Sequence, residues 1–385
     1  MRSGWIDIDV IIVAGAMLLS GCLAPEEPCG VEGCGSISSS VIDFCESFGC
    51  GGNAEIEDTE IHELHSGEGG NDGSPNAHGF VIERFVSGAG AAPRLPVGTP
   101  MVLHVEGDDV QGLVAGQDPV RDEELVGAAI ELRRVSGESQ AVTSASLQIL
   151  GTGTIDFWVG GAEGPSHARF FHLAQVGSSR APMPLCPTPW GSDPDDVSYH
   201  PVDGMAFLFA GDRYDPTSVT VEVPGAPGWF NIACTRTALA KMHLLRHTSA
   251  GSGSAESPSR EQRQAMLKLL SADYCGDGRA YARNGTPLFF QDPDGLFDPT
   301  PRWGDRAGAM ESIWTSDGAL CLDDPRLPFP GQTHADVRAE IVSACETSKV
   351  DSRRRTIPRC TAEQLKYWRS FGPISRNVSP PIDEP

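Results

Sequence analysis

His243 and His247 stand four residues apart on a stretch whose apolar positions, Ala238, Leu239, Met242 and Leu245, repeat at helical spacing. On one helix face both imidazoles could meet a single metal ion, although no third ligand stands near them. Two polar helix positions are the plainer reading. His62 and His65 lie among acids and could hold a cation loosely. Asp292, Asp294 and Asp298 resemble a calcium loop, but that loop needs Gly at its sixth position and Phe297 stands there. Ser166 and His167 are neighbours, and on a strand neighbours point to opposite faces. The chain has no G-x-S-x-G elbow, no Gly-Lys pair for a phosphate loop and no H-E-x-x-H. Gly151-Thr152-Gly153 lacks the third Gly of a dinucleotide loop. These residues imply no catalytic group and no cofactor.

Sulfur is the more informative chemistry. The chain has 11 cysteines. Cys22 stands apart; Cys29, Cys34, Cys45 and Cys50 form an early group; Cys186, Cys234, Cys275, Cys321, Cys345 and Cys360 lie in the body. Both groups are even, which in an exported chain favours disulfides. The early group repeats a C-x₄-C spacing that zinc would also accept. Six body cysteines allow 15 pairings. The local pair easiest to close is Cys345 with Cys360, around a solvated basic loop, Arg353 to Arg355.

The compartment is read from the first residues. Val10 to Leu19 is apolar and uncharged, too short for a hydrocarbon core that needs about 20 residues. It reads as the apolar part of an export signal spanning residues 1–21. Leu19-Ser20-Gly21-Cys22 resembles the lipobox of bacterial lipoproteins, which makes Cys22 the lipidated residue. Asp7 and Asp9 depart from the usual basic start. Two or more acyl chains hold a protein on a membrane stably. Leu23 after the Cys, by resemblance to enterobacterial sorting, points to the outer membrane.

Net charge is −23, with 15 acids against one base in residues 1–83. Such a chain repels phosphate backbones, so nucleic acid is not an expected partner. Residues 22–75, rich in Gly, Ser, Cys and acids, read as a hydrated tether. Residues 76–232 read as short strands between turns, among them Gly79–Val86, Met101–Val105, Ala128–Val135, Arg169–Val176 and Met205–Ala210. Helices are predicted after Cys234, after Ser259 with Gln262 completing a capping box, after Thr333, and after Thr361 with Gln364 at the third helical position. Residues 371–385 read as a loose Pro-rich tail. The fold class is α+β: an antiparallel β-rich N-terminal part, then a disulfide-stabilised helical and irregular C-terminal part.

The second of these helices ends Ala272-Asp273-Tyr274-Cys275-Gly276. Here the chain resembles the ADYC-domain proteins, exported and mainly myxobacterial. Leu185-Cys186, Phe230 to Cys234 with Ala240-Lys241, Asn284 to Pro287, Glu311 to Trp314, Gly318 to Leu322 and Arg326 fit the same pattern, over about residues 185–360. The resemblance implies export and disulfides and no particular reaction. It also implies cysteines where Met242 and Met266 stand, as though one bridge had been replaced by two soft apolar side chains. The motif itself is expected to be structural, a disulfide-pinned helix end turning at Gly276. The expected function is that of a lipid-anchored, non-enzymatic binding or structural module. Its partners would be the membrane, through Cys22, and a protein or envelope component. The alternatives are an envelope hydrolase, or a metal-binding lipoprotein using His243 and His247.

Overall fold

Strand pairing dominates the architecture. The computed structural model describes residues 54–56, 59–67, 73–91, 94–135, 143–158, 167–176, 182–186, 204–235, 237–249, 258–281, 288–291, 309–326, 332–347 and 355–377. Cys22, the four early cysteines, and Asp292, Asp294, Phe297 and Asp298 lie outside the described residues.

β1 (Glu55–Ile56) and β2 (Thr59–Glu60) pair with each other. A larger antiparallel sheet contains β3 (Glu63–His65), β4 (Phe80–Val86), β5 (Pro100–Glu106), β6 (Asp109–Leu113), β7 (Ala129–Arg134), β8 (Thr143–Asp156), β9 (His167–Val176), β10 (Met183–Pro184), β11 (Ala206–Asp215) and β12 (Thr220–Cys234). Its order is β3-β12-β11-β9-β8-β7-β4-β5-β6, with β10 also on β9. The sheet curls on itself: Ala210 N donates to Gly107 O in the β5–β6 turn at 2.7 Å. Alternate side chains, such as Ile130 and Leu132 of β7 and Leu147 and Ile149 of β8, fill one buried core.

Residues 54–56 and 59–67, expected as part of the hydrated tether, are instead built into the fold. Ile56, Ile61 and Leu64 are fully buried, and β3 pairs with β12 through Leu64 opposite Phe230. Overall acidity hides these apolar positions. Glu63 is not a solvating charge; it is buried and takes Arg213 Nη2 at 2.6 Å.

The paired stretches 206–209 of β11 and 230–234 of β12 are buried on both faces. Leu208, Phe230 and Ile232 face the curled sheet's core, while Phe207, Phe209 and Ala233 join a second core with the helices. Helix α1 (Ala238–Leu244) is capped by the Thr237 hydroxyl. Helix α2 (Arg260–Ser271) starts with the predicted Ser259/Gln262 capping box. The two pack together, and Met242 and Met266 both lie fully buried in that shared core.

The C-terminal part is not only helical and irregular. It contains a second antiparallel sheet of β13 (Leu288–Gln291), β14 (Ala309–Thr315), β15 (Gly318–Leu322) and β16 (Ile374–Asn377), ordered β13-β16-β14-β15. The expected loose tail thus begins with an interior strand. Its partners, β13 and β14, lie far away in sequence, so no local pattern reveals this four-residue strand. Helix α3 (His334–Thr347) buries Val337, Ile341 and Cys345, and α4 (Ala362–Lys366) carries the predicted Thr361/Gln364 box.

Candidate functional site

Helix α2 packs apolar residues such as Met266 and Leu269 into the shared core, and meets the β11–β12 turn with polar side chains. Arg260, Gln264 and Lys268 lie four residues apart, on one face. Arg260 Nη2 donates to Val221 O at 2.8 Å, and Gln264 Nε2 to Val219 O at 3.0 Å. Gln264 Oε1 accepts from Val221 N at 2.6 Å, and Lys268 Nζ donates to Ser218 O at 2.7 Å. The stripe supplies the turn into β12 with partners that a neighbouring strand would otherwise give. Within that turn Val219 has φ +51°, a strained conformation for a β-branched residue. Beside the stripe, Arg263 holds the fully buried Asp212 carboxylate with Nε at 2.5 Å and Nη2 at 2.9 Å.

The helix ends with Ala272 in the left-handed conformation, φ +56°, so Asp273 folds back beneath the last turn. The Asp273 carboxylate is fully buried and gathers the next loop around itself. Oδ1 accepts from Gly276 N at 2.8 Å and Asp277 N at 3.1 Å; Oδ2 accepts from Gly278 N at 2.9 Å and Lys268 Nζ at 2.5 Å. Burial raises its carboxyl above the ordinary range, against the downward pull of Lys268. Two glycines make the loop possible. A Cβ on Gly276, φ +75°, would lie 2.0 Å from Asp317 O, and one on Gly278, φ +87°, 2.0 Å from Thr217 O. The loop is thus wedged between the β14–β15 turn and the β11–β12 turn.

Tyr274 points the other way. Its hydroxyl donates to Glu311 Oε1 at 2.5 Å and accepts from Arg326 N at 3.2 Å. Arg326 Nε lies 2.9 Å from Glu311 Oε1, and its Nη2 donates to Leu269 O at 2.6 Å. The ring stacks on Trp314 at 5.0 Å. Burial and then the Glu311 charge push the Tyr274 hydroxyl well above its ordinary pKa. Cys275 bonds Cys345 of α3. Each of the four motif residues is less than a tenth exposed. What these groups can do chemically is hold charge in place. The helix end is pinned by the Cys275–Cys345 bond and the chain turns at Gly276.

The other bonds join Cys186 to Cys234 and Cys321 to Cys360. Cys345 and Cys360, the local pair easiest to close, therefore do not bond each other. Proximity in sequence favoured that pair, but α3 carries Cys345 to the motif, 70 residues back, and β15 carries Cys321 to Cys360. Arg355, read as solvated, instead donates to Cys275 O and Ala319 O at 3.3 and 2.7 Å.

His243 and His247 do not share a helix face. Helix α1 ends at Leu244 and Arg246 takes φ +58°, so His247 lies beyond the last turn. His243 is buried, stacked parallel on Phe209 at 4.6 Å, with Nε2 3.8 Å from Asp108 Oδ2. His247 Nδ1 is 3.1 Å from Leu245 O. His62, once placed in the tether, is buried with Nε2 3.1 Å from Tyr214 O, and His65 stands beside Trp229. Among the described residues no three or more His, Cys, Asp or Glu side chains are grouped to hold a metal ion.

Of the residues that build this site, Asp212, Arg260, Arg263, Gln264, Lys268 and Gly278 carry no signal in the sequence. A Lys at the end of an amphipathic helix looks like a surface charge, and only a buried acid five residues on could have exposed its role. Glu311 and Arg326 were noticed as parts of a pattern, not as partners of Tyr274.

No curated protein and no solved structure matches the chain. The family model of the ADYC domain matches residues 122–328. The match starts earlier than the resemblance and takes in β7 to β12. It stops before α3, so Cys345 and Cys360 bond the matched region from outside it. With more than half its length covered, and the tetrapeptide at the hinge between α2 and the second sheet, this chain belongs to the ADYC domain family.

Proposed function

We propose that the protein is a lipid-anchored component of the bacterial cell envelope, held through Cys22, that acts as a non-enzymatic binding or structural module. The observation that carries this reading is the set of three disulfides, Cys186–Cys234, Cys275–Cys345 and Cys321–Cys360, which belong to an oxidising compartment. The sealed motif favours a scaffold over an active site, because its ionisable groups are spent on one another. The lipobox-like Leu19 to Cys22 adds the anchor, and Leu23 favours the outer membrane. Its partner would be a protein or another envelope component.

Growth of the native host with labelled palmitate tests the anchor. The wild-type protein should take up label and Cys22→Ala should not. Absence of label, together with six alkylatable thiols in the body of the chain, would refute the proposal. Crosslinking in intact cells followed by mass spectrometry of the captured material would name the partner.

A further inference from the structure

The segment between Cys360 and β16 is built as a strap fixed at both ends. Cys360 bonds Cys321 on β15, and Trp314 N donates to Pro373 O at 2.8 Å just before β16. Between these points, α4 and the short 3₁₀ turn Trp368–Ser370 turn Leu365 and Trp368 inward onto Ile313, Cys321 and Ile374. Tyr367 and Phe371, four residues apart, stay 49% and 45% exposed. Single exposed apolar residues are ordinary, but these two share a pinned turn with two exposed cations. Lys366 Nζ lies 4.9 Å from the Tyr367 ring, and the Arg369 guanidinium 5.1 Å from the Trp368 ring.

The charge of the strap runs against that of the chain. Five bases face one acid, Glu363, between Arg355 and Arg376, in a protein of net charge −23. Arg355 is used internally, whereas Lys366 and Arg369 point to solvent. At physiological salt the remote acids are screened beyond about 8 Å, so a local cationic patch can act on its own surroundings. Amphipathic aromatic rings beside cations suit one environment closely: the headgroup layer of a bilayer, where rings seat below the phosphates and ammonium and guanidinium groups meet them.

We infer that Lys366, Tyr367, Arg369 and Phe371 form a docking surface for an anionic phospholipid bilayer, orienting the folded part of the protein against the membrane. This surface does not depend on lipidation of Cys22, and the test keeps the two apart. Full-length protein carrying Cys22→Ala is mixed with vesicles of phosphatidylcholine alone or with one quarter phosphatidylglycerol, then floated through a density gradient. More protein should float with the anionic vesicles. Lys366→Glu with Arg369→Glu should remove that excess, lowering partition roughly tenfold or more. Tyr367→Ser with Phe371→Ser should weaken binding at low and high salt alike. The apolar residues 10–19 are common to every protein compared and cancel. Both double variants alter exposed side chains, and their thermal melts serve as the folding control. Equal flotation with both vesicle types, or folded variants that float like their parent, would overturn the inference, as would capture of an acidic protein through the strap without any vesicle binding. Failure of palmitate labelling in the unsubstituted protein would leave this result untouched and count against the anchor alone.

Discussion

Gln264 closes a two-bond clamp across Val219: its amide donates to Val219 O at 3.0 Å and accepts from Val221 N at 2.6 Å. One side chain thus serves both backbone groups of a turn whose central residue sits at φ +51°. Gln264→Leu would leave a buried carbonyl and a buried N–H without partners. The expected loss is about 2–6 kcal/mol, each orphaned group costing about 1–3 kcal/mol. Gln264→Glu keeps the acceptor but sets a carboxylate oxygen against Val219 O in a buried site, so it should lose at least as much. Urea denaturation compares the three; equal stability of Gln264→Leu and the parent would remove the clamp's importance.

Asp273 and Lys268 should be mutually dependent. Both are buried, 2.5 Å apart. Removing either one alone strands the other, at a cost of about 3–5 kcal/mol. Lys268→Met with Asp273→Asn should therefore cost clearly less than the sum of the singles. Additive losses in a double-mutant cycle would mean that the two are not coupled. The loop sets a second limit: Gly276→Ala should destabilise even with the pair intact, since its Cβ would meet Asp317 O.

Tyr274→Phe isolates a single hydroxyl. Glu311 loses a donor and Arg326 N loses an acceptor, in a place water does not reach. A loss of about 1.5–3 kcal/mol is expected. A melting temperature within a degree of the parent would show that the hydroxyl contributes little.

Disulfide mapping offers the most direct check of the fold. Non-reducing digests should yield three linked peptide pairs from the body, with Cys275 joined to Cys345. A peptide joining Cys345 to Cys360 would contradict the arrangement. Closing loops of 39, 48 and 70 residues contributes about 4 kcal/mol each in the chain-entropy model. Replacing both cysteines of one bond by Ala should lower the denaturation midpoint accordingly.

Asp108 provides a pH signature. Burial pushes its carboxyl upward, but His243 and the Arg169 N–H together outweigh that and hold it below the ordinary carboxylate range. A carboxyl depressed in the folded state stabilises above its unfolded pKa of about 3.9, and that contribution fades as pH falls toward the folded value. Asp108→Asn should therefore melt lower than the parent at pH 7, with the gap closing below about pH 4. A gap of constant size at every pH would argue against the shift.

Local signals carried well from sequence to structure. Ser259 and Gln262, Thr361 and Gln364 announce their helices because a capping box is complete within four residues. Strands such as Phe80–Val86 announce themselves by composition. What escaped was whatever depends on remote partners. Ile374 to Asn377 gives no hint of joining β13 and β14. Cys345 shows no preference for Cys275. Glu63 looks like one more solvated acid until Arg213, 150 residues away, is placed against it. The motif was legible as a helix end with a turn, but its electrostatics were not, because Lys268, Glu311 and Arg326 reach it through tertiary packing.

Because Leu208 and Phe230 fill one interior while Phe207 and Phe209 fill the other, β11 and β12 are a party wall rather than an outer shell. Neither room can be emptied without exposing the wall's other side to water. The curled sheet and the helical half should consequently melt as one event, a single calorimetric peak instead of two.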